Sequence, residues 1–214
     1  MNQVTPFVIT ISRELGSGGA YIGQKLAKTM CFVYADREII RKAAKSLSVM
    51  DETLESRDER LLSFWESFLR SSATVPGVYV PPTLTAPTDR QMFDAEASVI
   101  ENIAKRRSAV IIGRCGFHIL REHPNHVSIF LHSDAASRNE RVQKLYGLSK
   151  EDAAKMIAQK DKERALYCKT FTGKEWADAR NYDLSIHTGK IGIDNSVDII
   201  LYYLECKIGL PTYR

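Results

Sequence analysis

The 214-residue sequence contains no long apolar run and no closely spaced pair of cysteines. None of its hydrophobic stretches approaches the roughly 18 residues that a membrane span requires, and its N-terminus lacks the basic and then apolar segments of a signal peptide. The four cysteines, Cys31, Cys115, Cys168 and Cys206, lie far apart, which argues against a zinc cluster and against a disulfide framework. We therefore expect a soluble, cytoplasmic protein that does not associate with membranes.

An excess of one charge is also lacking. Thirty Lys and Arg face 26 Asp and Glu, a formal net charge of +4, and the basic residues form no tail or stripe. Duplex nucleic acid is therefore not an expected partner, because it requires a concentrated basic surface. His123 and His126 have no carboxylate or cysteine at the spacing of metal ligands, so no metal ligand is assigned. The sequence does not specify an oligomeric state and leaves a homodimer open.

The chain does contain an alternation of short apolar runs and longer segments with helical periodicity, which is typical of βαβ units around a parallel sheet. The predicted strands are Phe7–Ile11, Cys31–Tyr34, Ala109–Ile112, Val127–Leu131 and Leu184–Ile186. The predicted helices are Ala20–Met30, Asp36–Leu47, Asp51–Ser72, Asp89–Lys105, Ala135–Leu145, Lys150–Tyr167 and Ser196–Lys207. This pattern predicts an α/β fold with a five-stranded parallel sheet in a single domain over residues 1–214.

A glycine-rich segment follows the first predicted strand, where a parallel sheet places its ligands. Gly16, Gly18 and Gly19 precede a helix, so backbone N–H groups and the positive end of that helix can face a phosphate. A tight connection without a ligand is the alternative, because the segment lacks the lysine of a complete G-x-x-x-x-G-K-[ST] motif.

Three segments together resemble one family. They are I-S-R-E-L-G-S-G-G-x-x-I-G from Ile11, Y-A-D-R-E-I-I-R from Tyr34 and I-I-G-R-C-G from Ile111. The chain is similar to the cytidylate kinase-like family, relatives of the P-loop nucleoside monophosphate kinases. The resemblance implies a three-layer P-loop kinase fold that uses ATP and Mg²⁺, with small-molecule nucleotides as partners. It also implies a helical insertion on the acceptor side over residues 48–90 and a lid over residues 150–182.

The resemblance places Gly19 where the wider group of P-loop nucleoside monophosphate kinases has its lysine, Tyr21 at its threonine and Arg13 at its first glycine. The loop of this chain resembles that of the cytidylate kinase-like branch, so the change is expected to be a feature of the branch. It implies that the donor phosphates contact the loop residues Gly16, Ser17, Gly18, Gly19, Ala20 and Tyr21. Tyr21 is too long to replace a short hydroxyl on magnesium, so Ser12 and Ser17 are alternatives and the metal ligand is left undetermined.

Residues of the other two segments correspond to the acceptor site of the family, namely Asp36, Arg37, Arg41, Arg114 and Cys115. A guanidinium suits phosphate because its planar fork meets two oxygens. For Arg37, an ion pair with Glu38 on a solvated helix is an equal alternative. Cys115 replaces the aspartate that recognises the nucleoside in the family, which leaves the acceptor open.

The catalytic candidates are cations and one carboxylate. They are Arg13, which the resemblance places in the glycine loop, Arg138 and Arg141, in the helix after the fourth strand, and Asp161 and Arg164, in the lid. We expect these arginines to replace the missing lysine, with Asp161 or Asp36 orienting an acceptor group or water. The run Lys160–Arg164 would, without the resemblance, be read as a solvated helix face.

Two functions from different classes follow. The first is an ATP-dependent kinase of a nucleoside monophosphate, with CMP as acceptor by resemblance, or of another small phosphorylated acceptor. The second is a non-catalytic module that binds or senses a nucleotide. The loss of the loop lysine favours the second function, and the retention of arginines on both donor and acceptor sides favours the first.

Overall fold

The computed structural model describes residues 5–49 and 89–208. Its strands are β1 (Val8–Arg13), β2 (Val33–Ala35), β3 (Ala109–Ile112), β4 (His126–His132) and β5 (Leu184–His187). Its helices are α1 (Gly19–Thr29), α2 (Arg37–Val49), α3 (Asp89–Arg106), α4 (Gly116–Ile119), α5 (Ala135–Tyr146), α6 (Lys150–Thr172), α7 (Thr188–Ile191) and α8 (Ile193–Ile208), with a 3-10 turn at Ala179–Asn181.

The strands form one parallel sheet in the order β2-β3-β1-β4-β5. Side chains alternate between its two faces, so Ile9 and Ile11 pack on one side with α1 and α8, whereas Val8 packs on the other with α2 and α3. Both faces are covered by helices, which explains why the strands are almost continuously apolar. The predicted α/β fold with a five-stranded parallel sheet is confirmed.

The ends of the two helices after β4 follow local sequence signals. The side chains of Asp134 and Ser149 accept hydrogen bonds from backbone N–H groups in the first turns of α5 and α6. Gly147 and Gly173 end the same helices with φ angles of 65° and 69°, the left-handed conformation that glycine adopts at low cost. Helix α6 therefore continues five residues beyond the predicted end at Tyr167, to Thr172.

Two strand boundaries differ from the prediction in ways that affect the site. Strand β1 continues past Ile11 through Arg13, because β4 pairs with it up to Leu131. Strand β2 starts at Val33, since Cys31 lies in the turn after α1 with a φ of 55°. The predicted helix Asp51–Ser72 and the proline-rich stretch after it lie outside the described residues, so the insertion stays a prediction.

His126 begins β4 at the sheet edge opposite the carboxyl ends of the strands. Its Nε2 forms a hydrogen bond of 2.7 Å with Oγ1 of Thr10, and burial lowers the pKa of His126 to about 4. The nearby His123 and Lys207 also lower this pKa, and Asp183 opposes them. The ring is therefore neutral in the folded protein across the physiological range.

A pH dependence of stability follows from His126. The unfolded chain binds the proton near pH 6.5 and the folded chain near pH 4, so stability is fully present above pH 6.5 and falls as the pH drops towards 4. We expect a loss of about 3 kcal/mol across this interval, measured by urea unfolding at pH 7 and pH 4. His126→Gln, which keeps a polar group but does not titrate, should flatten this part of the profile; equal slopes in the two proteins would refute the assignment.

Within residues 5–49 and 89–208, none of the helices is long and apolar enough to cross a membrane.

Candidate active site

A cavity of about 290 Å³ opens at the carboxyl ends of β1 and β3. Its described wall includes five cationic side chains: Arg13, Arg37, Arg114, Lys160 and Arg164. Glu163 is the acidic residue on that part of the wall, and its carboxylate lies 2.9 Å from the Lys160 ammonium. The remaining side of the cavity is mainly apolar, with Phe117, Tyr167, Cys168 and Trp176. The cavity thus favours an anionic ligand with an apolar part.

The glycine loop runs from the end of β1 to the start of α1. Gly16 and Gly18 have φ angles of 85° and 81°, and a side chain at Gly16 would place its Cβ 2.7 Å from the carbonyl oxygen of Arg138. Glycine is thus required at Gly16 by both conformation and space. The N–H groups in the first turn of α1 have no partner within the helix, so this end of the loop can bind an anion.

Arg13 fills the space that a side chain at position 19 would need. A Cβ on Gly19 would lie 2.6 Å from Cγ and 2.8 Å from Cβ of Arg13, and the Arg13 guanidinium lies against the backbone of Gly113. The arginine therefore passes between two glycines, from the loop into the cavity. A side chain at Gly19 or at Gly113 would clash with the side chain of Arg13.

Among the described residues Arg13 forms no ion pair with a carboxylate, and the charge of Asp36 acts on it without such a pair. Burial, followed by the nearby charge of Arg164, lowers the pKa of Arg13 to about 10, so the guanidinium remains protonated at neutral pH. Even a half-buried cation without an ion-pair partner is costly unless an anion compensates it. Arg13 is therefore the strongest indication of an anion site in the cavity.

Asp161 connects the loop to two helices. Its Oδ1 accepts hydrogen bonds of 2.8 Å from the backbone N–H of Leu15 and from Nη1 of Arg164, and its Oδ2 accepts from Nη1 of Arg138. Arg138 also lies 3.4 Å from Glu14. Both oxygens of Asp161 are engaged, so this carboxylate fixes α5 and α6 against the loop. Its predicted role in orienting an acceptor or water is not tested by these contacts.

Removing the charge of Asp161 should weaken this junction. Asp161→Asn leaves Arg164 without its carboxylate and Arg138 with Glu14 alone, and these two arginine side chains are 24% and 14% exposed. We expect a loss of about 2 to 3 kcal/mol in the free energy of unfolding, because breaking a largely buried ion pair leaves an uncompensated charge. Urea unfolding measures it, with the exposed Glu151→Gln on the same helix as control; equal stability of the two variants would contradict the junction.

Other predicted cations lie around the cavity at different distances. Nη1 of Arg141 lies against Gly18, 2.6 Å from where a Cβ at that position would lie. Arg37 lines the cavity without the predicted alternative ion pair to Glu38 among the described contacts. Arg41 is exposed on α2. Burial is the main cause that lowers the pKa of Arg114, and the nearby charges of Arg37 and Arg41 act in the same direction.

Predicted oxygen ligands have partners of their own. Asp36 caps α2, and its Oδ1 accepts from the backbone N–H groups of Glu38 and Ile39 at 3.0 and 3.1 Å. Ser17 is fully buried and its hydroxyl donates to the carbonyl of Glu14 at 2.8 Å, whereas Ser12 lines the cavity. Among the residues described, no group of three His, Cys, Asp or Glu side chains is arranged to hold a metal.

Two predicted loop residues point to solvent. Ala20 and Tyr21 lie in the first turn of α1 and are exposed, with 55% of Tyr21 accessible. The Tyr21 side chain thus takes no part in the cavity wall, and a contribution of these residues through their backbone N–H groups stays a prediction.

Arg114 and Cys115 lie in an unusual turn after β3. Gly113, Arg114 and Cys115 have φ angles of 75°, 53° and 56°, and the last two carry side chains that disfavour this region. A hydrogen bond with Cys168, together with burial, raises the pKa of Cys115 well above its usual value, so its thiol stays protonated. Cys115 offers the cavity neither a charge nor a nucleophile.

Sequence reasoning missed Glu96, which forms an ion pair with Arg114. Glu96 lies three residues after Phe93 and four before Ile100, so it shares the buried face of α3. An acidic residue at an apolar position of the helical pattern was the available signal. The aromatic partner of Arg114, Tyr167, had no such signal, because its ring reaches the site from α6.

Comparisons with solved structures define the class of the fold. The chain is similar to an uncharacterized protein from Eubacterium ventriosum, at 25% identity and a TM-score of 0.70, covering 93% of this chain and 98% of the other. It is also similar to shikimate kinase from Bacteroides thetaiotaomicron, at 12% identity and a TM-score of 0.51, with the same coverage of 93% and 98%. The fold is thus that of the P-loop kinases.

The sequence comparison then gives the family. The model of the cytidylate kinase-like family matches residues 8–190, and the chain belongs to that family. No curated protein sequence matches it. Family and fold together support a kinase of nucleotides or other small molecules.

Proposed function

We propose that the protein transfers the terminal phosphoryl group of ATP to a nucleoside monophosphate, with CMP as the expected acceptor. The observation that carries the proposal is Arg13, a half-buried cation without an ion-pair partner among the described residues, beside the glycine loop in a cationic cavity. Such a cation suits phosphoryl transfer, in which catalysis consists of positioning and charge stabilisation.

The donor phosphates would bind at the glycine loop. The N–H groups at the start of α1 supply the donors that a P-loop offers, and Arg141 lies against Gly18 from the other side. Arg13 replaces the loop lysine as the cation near the transferred group. Arg138 and Arg164 contribute less direct charge, because Asp161 pairs with both.

The acceptor phosphate would bind on the side of β3 and α2. Arg114 and Arg37 line the cavity there, and Arg41 lies near Arg114. A pair of arginines can hold two of the three non-bridging oxygens of a phosphate group and present the third for in-line attack. The apolar surface of Phe117 and Trp176 would contact the acceptor's base or sugar.

Magnesium is the cofactor that this reaction requires, and it would neutralise charge between the donor phosphates. Mg²⁺ keeps several waters and takes few protein ligands, often one carboxylate. The residues that fit are Ser12, which lines the cavity, and Asp36, whose charge acts on Arg13. Ser17 fits poorly, because it is fully buried and bonded to Glu14.

A non-catalytic nucleotide-binding module is the second candidate function. The observation that favours it is the engagement of both oxygens of Asp161 by Leu15, Arg164 and Arg138, which gives this carboxylate a structural role. A different small phosphorylated acceptor is compatible with the first function, because the protonated thiol of Cys115 offers little recognition of a sugar hydroxyl.

The deciding experiment measures ADP release with ATP and Mg²⁺ over a panel of nucleoside monophosphates and small phosphorylated acceptors. Turnover stimulated by CMP, and reduced strongly in Arg41→Ala and Arg114→Ala, is the expected result. Tight ATP binding by calorimetry without turnover on any acceptor would favour the binding module. Turnover on another phosphorylated acceptor would retain the kinase and replace CMP.

A further inference from the structure

Glu96 is a carboxylate on the buried side of a helix that is otherwise apolar there. Its side chain is 1% exposed, and its neighbours on that face of α3 include Phe93, Val99 and Ile100. Burial of a charged carboxylate costs several kcal/mol unless its partners compensate it. Packing alone does not explain a glutamate at position 96, because a leucine would pack better there.

The partners of Glu96 come from the two sides of the cavity. Its Oε2 forms an ion pair with Nη2 of Arg114 and accepts a hydrogen bond of 2.9 Å from the hydroxyl of Tyr167. The Arg114 guanidinium also lies over the Tyr167 ring, 4.2 Å from its centroid. Arg114 follows β3 and Tyr167 belongs to α6, so one carboxylate fixes the cation and the ring that stacks on it.

This arrangement holds Arg114 in a conformation that the backbone alone disfavours. Arg114 has a φ of 53°, which costs a residue with a side chain roughly 1–2 kcal/mol. Strained residues persist when their surroundings fix them, and they cluster at binding sites. The carboxylate of Glu96 supplies that restraint by holding the guanidinium of Arg114.

The contacts are not those of a site optimised only for stability. Glu96 Oε1 and Arg114 Nε are buried and have no hydrogen-bond partner among the described residues. Unpaired buried polar atoms are rare and call for an explanation. A buried ion pair is also weak evidence for stabilisation, because apolar residues of equal volume often serve as well.

We propose that Glu96 is a positioning residue, whose carboxylate orients Arg114 towards the cavity to bind the phosphate of the acceptor. The inference rests on the proposed function only in naming that phosphate. Glu96 itself does not line the cavity wall and acts through Arg114. Tyr167 assists by covering one face of the guanidinium and by donating its hydroxyl to the same carboxylate.

The test compares Glu96→Gln with Arg114→Ala, and with Glu101→Gln as an exposed control on the same helix. Glu96→Gln keeps the shape and removes the charge that holds Arg114. We expect the KM for CMP to rise about tenfold or more, the value of a hydrogen bond to a charged group, with a smaller change in kcat. A purely structural role would lower the melting temperature and leave KM unchanged, and that result would overturn the proposal.

A double variant and a binding measurement complete the test. In the Arg114→Ala background, Glu96→Gln should cause no further rise in KM, whereas independent and multiplicative effects would contradict action through Arg114. Calorimetry with CMP and with inorganic pyrophosphate separates this inference from the proposed function. If CMP is not turned over but either anion binds, the ratio of Kd values among the same variants decides the role of Glu96. If neither anion binds, or Arg114→Ala and Glu96→Gln both bind it as the wild type does, the proposal fails.

Discussion

Arg13→Ala should reduce kcat/KM for phosphoryl transfer about a thousandfold, the lower range of what one arginine supplies at a transferring phosphoryl group. The reason is that Arg13 has no ion-pair partner among the residues the structure describes, and its guanidinium reaches the cavity along Gly113. The pKa of about 10 keeps it charged at neutral pH. The measurement is steady-state ADP release with ATP, Mg²⁺ and the best acceptor of the panel.

Two comparisons make the Arg13 result specific. Arg121→Ala removes an exposed arginine that pairs with Glu122 outside the cavity, and should leave kcat/KM within a factor of about two. Arg13→Lys keeps the charge but loses the planar fork, so it should retain more activity than Arg13→Ala. Activity of Arg13→Ala close to that of Arg121→Ala would remove the central cation from the mechanism.

The architecture could be predicted from sequence because each strand is a short apolar run between breakers. For β3, the run Ala109–Ile112 is bounded by Ser108 and Gly113, and its predicted limits match the structure. The ends of helices and strands were less predictable where tertiary contacts decide them. Strand β1 extends to Arg13 because β4 pairs with it as far as Leu131, and the sequence of β1 alone does not contain that information.

The cations of the cavity could be predicted as candidates, but their division into paired and unpaired ones could not. Asp161 binds Leu15, 146 positions earlier in the chain, and no local pattern signals a contact of that span. The pairing makes Arg138 and Arg164 part of the support, whereas Arg13 has no ion-pair partner in the described part of the chain. Partners across long sequence separations therefore decide which of several similar residues is functional.

The loop lysine of related kinases and Arg13 compete for one space, and this leads to the second large effect. A side chain at position 19 would place its Cβ 2.6 Å from Cγ and 2.8 Å from Cβ of Arg13. Both atoms are close to the strand backbone, so Arg13 cannot move aside by rotating only its far end. Gly19→Lys, which creates the loop residue of the wider group of nucleoside monophosphate kinases, should therefore abolish most activity, about a hundredfold or more, and destabilise the fold by about 1 to 3 kcal/mol.

A double variant tests whether a lysine at position 19 can replace Arg13. Arg13→Gly combined with Gly19→Lys removes the clash, whereas Arg13→Ala would retain a Cβ within 2.8 Å of the new one. The double variant should melt at a higher temperature than Gly19→Lys and turn over faster than Arg13→Gly, because the lysine then supplies the missing cation. Thr29→Lys, at the exposed end of α1, controls for the added charge. Full activity of Gly19→Lys alone would show that Arg13 and the loop lysine do not occupy one space. The idea that Arg13 replaces the loop lysine would then be wrong.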